Sequence, residues 1–176
     1  MNPKLYWIHG PWVGKLAISA RPRGGDWLED DIAGWRKARI DGIVSLLTNQ
    51  ENADLQLSEE SDLAQSHGLR FVSLPVEDRG VPQSRDDTSR VIAQVGEMLR
   101  QARNVAIHCR QGIGRSGMFA AALLIRDGST PGDALTQISG VRGLPVPETE
   151  GQLAWVREFS MLEAPSASRL SRASVK

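Results

Sequence analysis

A chain of 176 residues, 40% hydrophobic and 24% charged, carries enough apolar material for one globular core and too little for two full domains. Its 21 Lys and Arg balance 21 Asp and Glu, which excludes a global electrostatic footprint for nucleic acid or an acidic membrane surface, so a partner must be recognised locally. The opening MNPKLYWIHG lacks a basic start followed by a long apolar run, and no stretch of about 18 apolar residues follows, which predicts a soluble, cytoplasmic chain without a membrane span.

Leu5 to Ile8 and Leu16 to Ser19 are short, apolar and partly β-branched, and the turn-prone stretch Gly10 to Gly14 between them predicts an opening strand pair. The segment Asp26 to Arg39 places Trp27, Ile32, Trp35 and Ala38 near one helical face, with Asp26 as the expected N-cap. Ile43 to Leu47 reads as a buried strand, Ser58 to His67 as a short helix closed by Gly68, and Leu69 to Val76 as the next strand. Glu77 to Asp87 carries Gly80 and Pro82 among charges and predicts a surface loop able to move. Thr88 to Ala102 repeats Val91, Ile92, Val95, Met98 and Leu99 at helical spacing; Val105 to Cys109 is a strand, and Gly117 to Arg126 a central helix rich in Ala and Leu. Helices over Pro131 to Ser139 and Glu150 to Glu163 complete the chain. Strands alternating with helices predict an α/β fold, a central, largely parallel sheet flanked by helices. Residues 164–176, APSASRLSRASVK, are small, polar and mildly basic, and predict a disordered tail after a single domain over 1–163.

The chemistry concentrates in VAIHCRQGIGRSG, a strand, a loop with glycines at 112, 114 and 117, and the start of an apolar helix. A tight glycine-bearing turn there points successive backbone N–H groups inward, and the helix start adds the positive end of its dipole, so the loop suits an oxyanion. Five residues separate Cys109 from Arg115, enough to wrap the loop once round an anion and bring sulfur and guanidinium to one centre, where the planar fork of Arg115 holds oxygens bidentately. The inward amides, Arg115 and the helix dipole favour the thiolate of Cys109 over the thiol. His108 is placed to orient the loop by hydrogen bonds, and Ser116 to donate its hydroxyl to the sulfur.

Other readings of these residues are weaker. A lone cysteine at a strand end is more often packing than a nucleophile, but the long pattern H-C-x5-R-S-G at a strand-to-helix junction reverses those odds. It is the only cysteine, so an intramolecular disulfide is impossible, and a free thiol fits a reducing compartment. Gly112, Gly114 and Gly117 also spell a dinucleotide fingerprint, yet the chain continues DGSTPGDALTQISG where a second strand ending in an acidic residue belongs. The Gly-Lys-Ser/Thr ending of a nucleoside-triphosphate loop is missing.

The sequence resembles the protein tyrosine phosphatase superfamily, whose signature H-C-x2-G-x-x-R-[ST]-G is met by His108, Cys109, Gly112, Arg115, Ser116 and Gly117. The family's mobile acid loop, D-x-G-x-P, is matched by Asp78, Gly80 and Pro82 within PVEDRGVP, without the Trp-Pro pair of tyrosine-specific members. That version resembles compact dual-specificity enzymes, particularly the cyclin-dependent-kinase-associated type, over roughly Ile40 to Phe159. The resemblance implies a cysteinyl-phosphate mechanism with Cys109 as nucleophile, Asp78 rather than the adjacent Glu77 as general acid, and the loop residues Arg110, Gln111, Gly112, Ile113, Gly114 and Arg115 around the phosphate. Within VPETEGQLAW, Gln152 matches the later of two glutamines that position the hydrolytic water, and Glu148 replaces the earlier one. The resemblance implies no cofactor or metal; the histidines at 9, 67 and 108 form no ligand pair at helical spacing.

The expected substrate is a phosphorylated protein, on phosphotyrosine and also phosphoserine or phosphothreonine, with phosphoinositides or another small phosphate ester as the alternative suggested by Arg110. A binding module that captures a phosphorylated partner without turnover would be expected to lack the cysteine, the arginine or the acid. A thiol redox protein would want a resolving cysteine, although oxidation of Cys109 is chemically open to it. A monomer with no nucleic-acid partner is the expectation.

Overall fold

The computed structural model describes residues 4–163, so the predicted disordered tail lies outside the described residues. Five strands, β1 (Tyr6–Ile8), β2 (Leu16–Ala20), β3 (Gly42–Ser45), β4 (Arg70–Ser73) and β5 (Val105–Cys109), form one sheet in the order β1-β2-β5-β3-β4. β1 runs antiparallel to β2; every other pairing is parallel. The fold class is thus the α/β, largely parallel sheet expected. The carboxyl ends of β2, β3, β4 and β5 therefore open on one edge. With β5 inserted between β2 and β3, that edge holds the switch point beside which α/β sheets bind ligands.

Among the described residues seven α-helices cover the sheet: α1 (Leu28–Lys37), α2 (Asn49–Asp54), α3 (Glu60–Ser66), α4 (Arg85–Arg100), α5 (Gly114–Arg126), α6 (Pro131–Arg142) and α7 (Glu150–Glu163). On one face Ile18, Val44 and Ile107 pack against α4, α5 and their neighbours; on the other, Ile43 and Ala106 pack against α1 and α3. The alternation of side chains along a strand produces both layers from the same short runs. α5 is buried along its whole length from Gly114 to Ile125, and each fully buried Leu, Ile or Phe side chain there contributes roughly 1.5–3 kcal/mol of transfer free energy. The face of α4 bearing Val91, Ile92, Val95, Met98 and Leu99 is buried as its periodicity predicted.

Several expectations are corrected. Asp26 does not cap a helix: it lies inside a 3₁₀ turn, Gly25–Trp27, and α1 begins at Leu28. The buried stripe of α1 is Leu28, Asp31, Ile32 and Trp35, while Trp27 is 56% exposed under the Arg23 guanidinium and Ala38 is also exposed. Asp31 is buried because it accepts from the Arg23 backbone and guanidinium. α2 falls in a stretch that showed no apolar period; it is held by a capping box in which Thr48 Oγ1 accepts from the Glu51 N–H and the Glu51 carboxylate accepts from the Thr48 N–H. The central helix starts at Gly114 instead of Gly117, which puts Arg115 and Ser116 in its first turn.

Candidate active site

The loop between β5 and α5 stands on the switch-point edge. Cys109 is the last residue of β5, paired with Ala20 and 3% exposed, and its Sγ lies 3.4 Å from Ser116 Oγ. The chain then turns through Arg110 to Ile113 into α5. Gly112 makes the turn possible: its φ is +66°, and a Cβ there would collide with the Ser19 carbonyl at the end of β2. Gly114 is needed for a different reason, since a Cβ would run into the Glu148 carboxylate and the Gln152 amide. Arg110 and Gln111 sit exposed at the lip.

Arg115 is 2% exposed, and both of its Nη nitrogens are engaged. Nη1 and Nη2 donate to the two oxygens of Glu51 at 2.7 and 2.9 Å, Nη1 also donates to the Val76 carbonyl at 2.8 Å, and Nη2 donates to Asp78 Oδ1 at 3.0 Å. Burial works against its charge, but the Glu51 hydrogen bonds and the negative charges of Cys109, Glu51 and Asp78 prevail and raise its pKa above the ordinary value. For Glu51, burial would push the pKa up; the hydrogen bond from Arg115 and those from Thr48 outweigh it and hold the carboxyl below the usual carboxylate range. The predicted site residues did not include Glu51. Its signal was present in the capping box Thr48-x-x-Glu51, which fixes the carboxylate after β3 at the switch-point edge.

Asp78 lies on the connection after β4, where the Gly80 N–H donates to the Glu77 carbonyl at 2.8 Å and Arg79 turns with φ +59°. The Asp78 side chain is 53% exposed, in reach of solvent and of Arg115 at once. Gln152, at the start of α7, is fully buried. It donates to the Gly80 carbonyl at 3.1 Å, and its Oε1 accepts from the Glu148 N–H at 3.1 Å; Glu148 Oε2 accepts from the Gly114 N–H at 3.1 Å. The sequence pattern did not foresee that this segment ties the two loops together.

His108 departs from its expected place. It belongs to the opposite face of β5 from Cys109, where its ring stands 5.8 Å from that of Trp35 and Nε2 lies 2.9 Å from Glu60 Oε1 without the alignment of a hydrogen bond. Its side chain therefore does not reach the loop. Its carbonyl does contribute, accepting from the Leu46 N–H at 3.0 Å, and the Leu46 carbonyl in turn faces Arg115 Nη1 at 3.4 Å. Among the described residues no group of three or more His, Cys, Asp or Glu is arranged to hold a metal ion.

A thiol and a buried arginine on one glycine turn, with a half-exposed carboxyl group on that arginine, are equipped to take a phosphoryl group and protonate what leaves. Residues 19–129 match the family model Tc-R-P, described as a polymorphic toxin system DSP-PTPase phosphatase. The chain belongs to this family of DSP-PTPase phosphatases. It is 26% identical over 134 residues to rat cyclin-dependent kinase inhibitor 3, covering 75% of this chain and 63% of the rat protein. With the human protein of that name it shares 27% over 148 residues, 82% of this chain and 69% of the human one. The chain thus spans about two thirds of the length of these curated relatives. In structure it is similar to kinase-associated phosphatase carrying serine for its catalytic-site cysteine, with a TM-score of 0.85 and 23% identity over 93% of this chain and 97% of that one. Tk-PTP in its active form superposes with a TM-score of 0.75 and 24% identity over 92% and 99%. These likenesses show that the family's fold is shared along nearly the whole described chain. No helix among the described residues is long and apolar enough to cross a membrane.

Proposed function

We propose that the chain is a cysteine-dependent phosphatase acting on phosphotyrosine, and also on phosphoserine and phosphothreonine, in proteins. The observation that carries the reading is Arg115. A buried guanidinium clamped by Glu51 sits beside Asp78, and it belongs to the turn that opens on Cys109. A cation so held waits for an anion between the sulfur and the acid.

The Cys109 thiolate attacks phosphorus in line, the bond to the leaving oxygen breaks, and Asp78 gives that oxygen its proton. The product is a cysteinyl-phosphate. Water then attacks the phosphorus with Asp78 now the base, releasing phosphate and the thiolate. Arg115 and the loop amides, apart from the Gly114 N–H that donates to Glu148, stabilise the equatorial oxygens in both steps, the electrostatic contribution that dominates phosphoryl transfer. Ser116, 3.4 Å from the sulfur, steadies the thiolate when it is the leaving group. A phosphorylated protein is the favoured substrate because Asp78 and the loop lip at Arg110 and Gln111 are exposed, leaving an open mouth into which a chain-borne phosphate can project. We place the phosphatase domain at residues 1–163 and its working place in the cytoplasm.

Hydrolysis of an aryl phosphate by wild type, Cys109→Ser and Asp78→Ala tests the reading. Wild type should turn over and Cys109→Ser should not; an inactive wild type, or a fully active Cys109→Ser, would sink it. Phosphotyrosyl peptides should then be better substrates than soluble inositol phosphates, and the reverse order would reassign the substrate.

A further inference from the structure

We propose that Gln152 is a positioning residue that latches the acid loop over the phosphate loop, acting on the first chemical step, instead of presenting water for the second. This rests on the phosphatase reading above and assigns a further residue to it.

Gln152 is 0% exposed, and both ends of its amide are used. Nε2 donates to the Gly80 carbonyl in the acid loop; Oε1 accepts from the Glu148 N–H. A carbonyl can only accept and a backbone N–H can only donate, so these two partners fix which way round the amide lies. Its head group also presses on Gly114 at the start of α5, where no side chain would fit. One buried amide thus touches the acid loop, the phosphate loop and the segment before α7. Thr149 reinforces the join: its hydroxyl donates to the Arg79 carbonyl at 3.4 Å and accepts from the Gln152 N–H at 3.1 Å.

Between Val76, whose carbonyl accepts from Arg115, and Val81, which packs on the core, the acid loop has little else to place it. Glu77, Asp78 and Arg79 are exposed, and the Gly80 N–H bond to Glu77 is internal to the turn. Asp78 itself reaches the site through its contact with Arg115, one that an incoming phosphate must share. The grip on Gly80, two residues along, is what keeps the acid in place while the guanidinium changes partner. Water has no approach to an amide with no exposed surface. Glu148, exposed and with its carboxylate on the Gly114 amide, is the polar group of this segment that both faces solvent and touches the phosphate loop.

Two functions for Gln152 predict different kinetics. kcat/KM reports events up to cysteinyl-phosphate formation, so a residue that only presents water leaves it unchanged and lets phosphoenzyme accumulate in a burst. A latch for Asp78 lowers kcat/KM, most for poor leaving groups that need the proton. The experiment uses the full chain with phenyl phosphate and p-nitrophenyl phosphate. Gln152→Ala should lower kcat/KM for phenyl phosphate by about 10-fold to 10²-fold, as expected for an acid displaced by an ångström or so, and lower it less for p-nitrophenyl phosphate. In an Asp78→Asn background the same change should cost nothing further. Gln152→Glu, which keeps the shape but removes the donor to Gly80, should behave alike if the alanine variant does not fold. Tryptic cleavage after Arg79 should also become faster in either variant, a readout independent of turnover. Unchanged kcat/KM with a burst, or losses that add to those of Asp78→Asn, would overturn the latch while leaving the phosphatase reading intact; an inactive wild type would overturn that reading instead.

Discussion

The two loops that meet at the site are built in opposite ways. The phosphate loop stands on the central strand, its cysteine and arginine are 3% and 2% exposed, and Gly112 is pressed against β2. The acid loop follows β4, an edge strand of the sheet, with Asp78 half exposed and a handful of hydrogen bonds to hold it. In the proposed mechanism, charge stabilisation calls for groups that do not reorganise, whereas the acid has to admit a substrate, protonate it and let product leave. The difference in burial divides the work between a fixed half and a movable half.

Arg115→Lys should break the fixed half most severely. The ammonium keeps the charge but not the fork that grips Glu51 and phosphate together, and turnover should fall by about 10³-fold together with affinity for inorganic phosphate. Asp78→Asn attacks only the movable half. Turnover of an aryl phosphate should drop by roughly 10²-fold and lose the dependence on a protonated acid, while phosphate affinity is retained or improved by removal of a competing carboxylate. If Asp78→Asn weakened phosphate binding as much as Arg115→Lys, the division would be wrong.

Glu51→Gln tests the same contrast through stability. A group whose folded pKa is depressed contributes stability that is complete above its ordinary value of 4.5 and is lost as pH falls through the lower folded value. Wild type should therefore lose stability on acidification in that range, and Glu51→Gln should lack this component while costing on the order of 3 kcal/mol at neutral pH, because Arg115 is left short of its counter-charge. Denaturant titrations at pH 7 and near pH 3 measure both. The smallest effect is expected for Gly112→Ala, about 2 kcal/mol by thermal or denaturant unfolding, from the positive φ and the collision with the Ser19 carbonyl.

Much of this arrangement could be read in the chain before folding. The strand Val105–Cys109 and the helix Glu150–Glu163 have the limits expected of them, because a short apolar run closed by a glycine-rich loop and a long stretch without Pro or turn signals mark their ends. The spacing of Cys109 and Arg115 pointed to one centre and the family resemblance added Asp78; Arg115 and Asp78 are 3.0 Å apart across 37 residues of chain. What was not legible belonged to tertiary contacts. Glu51 sits on a six-residue helix with no buried residue, so no apolar rhythm marked it. His108 was expected at the loop because it neighbours Cys109, yet neighbours in a strand face opposite ways, and the period of two should have sent it to the Trp35 and Glu60 side. Gln152 could be matched by motif, but its burial and its bond to Gly80 arise only when residues 72 positions apart are brought together.

The central claim is that Cys109 carries the phosphoryl group between the two halves of the reaction. Rapid acid quenching during turnover of an aryl phosphate, followed by mass spectrometry of the peptide containing Cys109, tests it directly. The account predicts one added phosphoryl group on Cys109 of the wild type and none in Cys109→Ser; turnover with no phosphoryl group on Cys109, or with one on another residue, would contradict it.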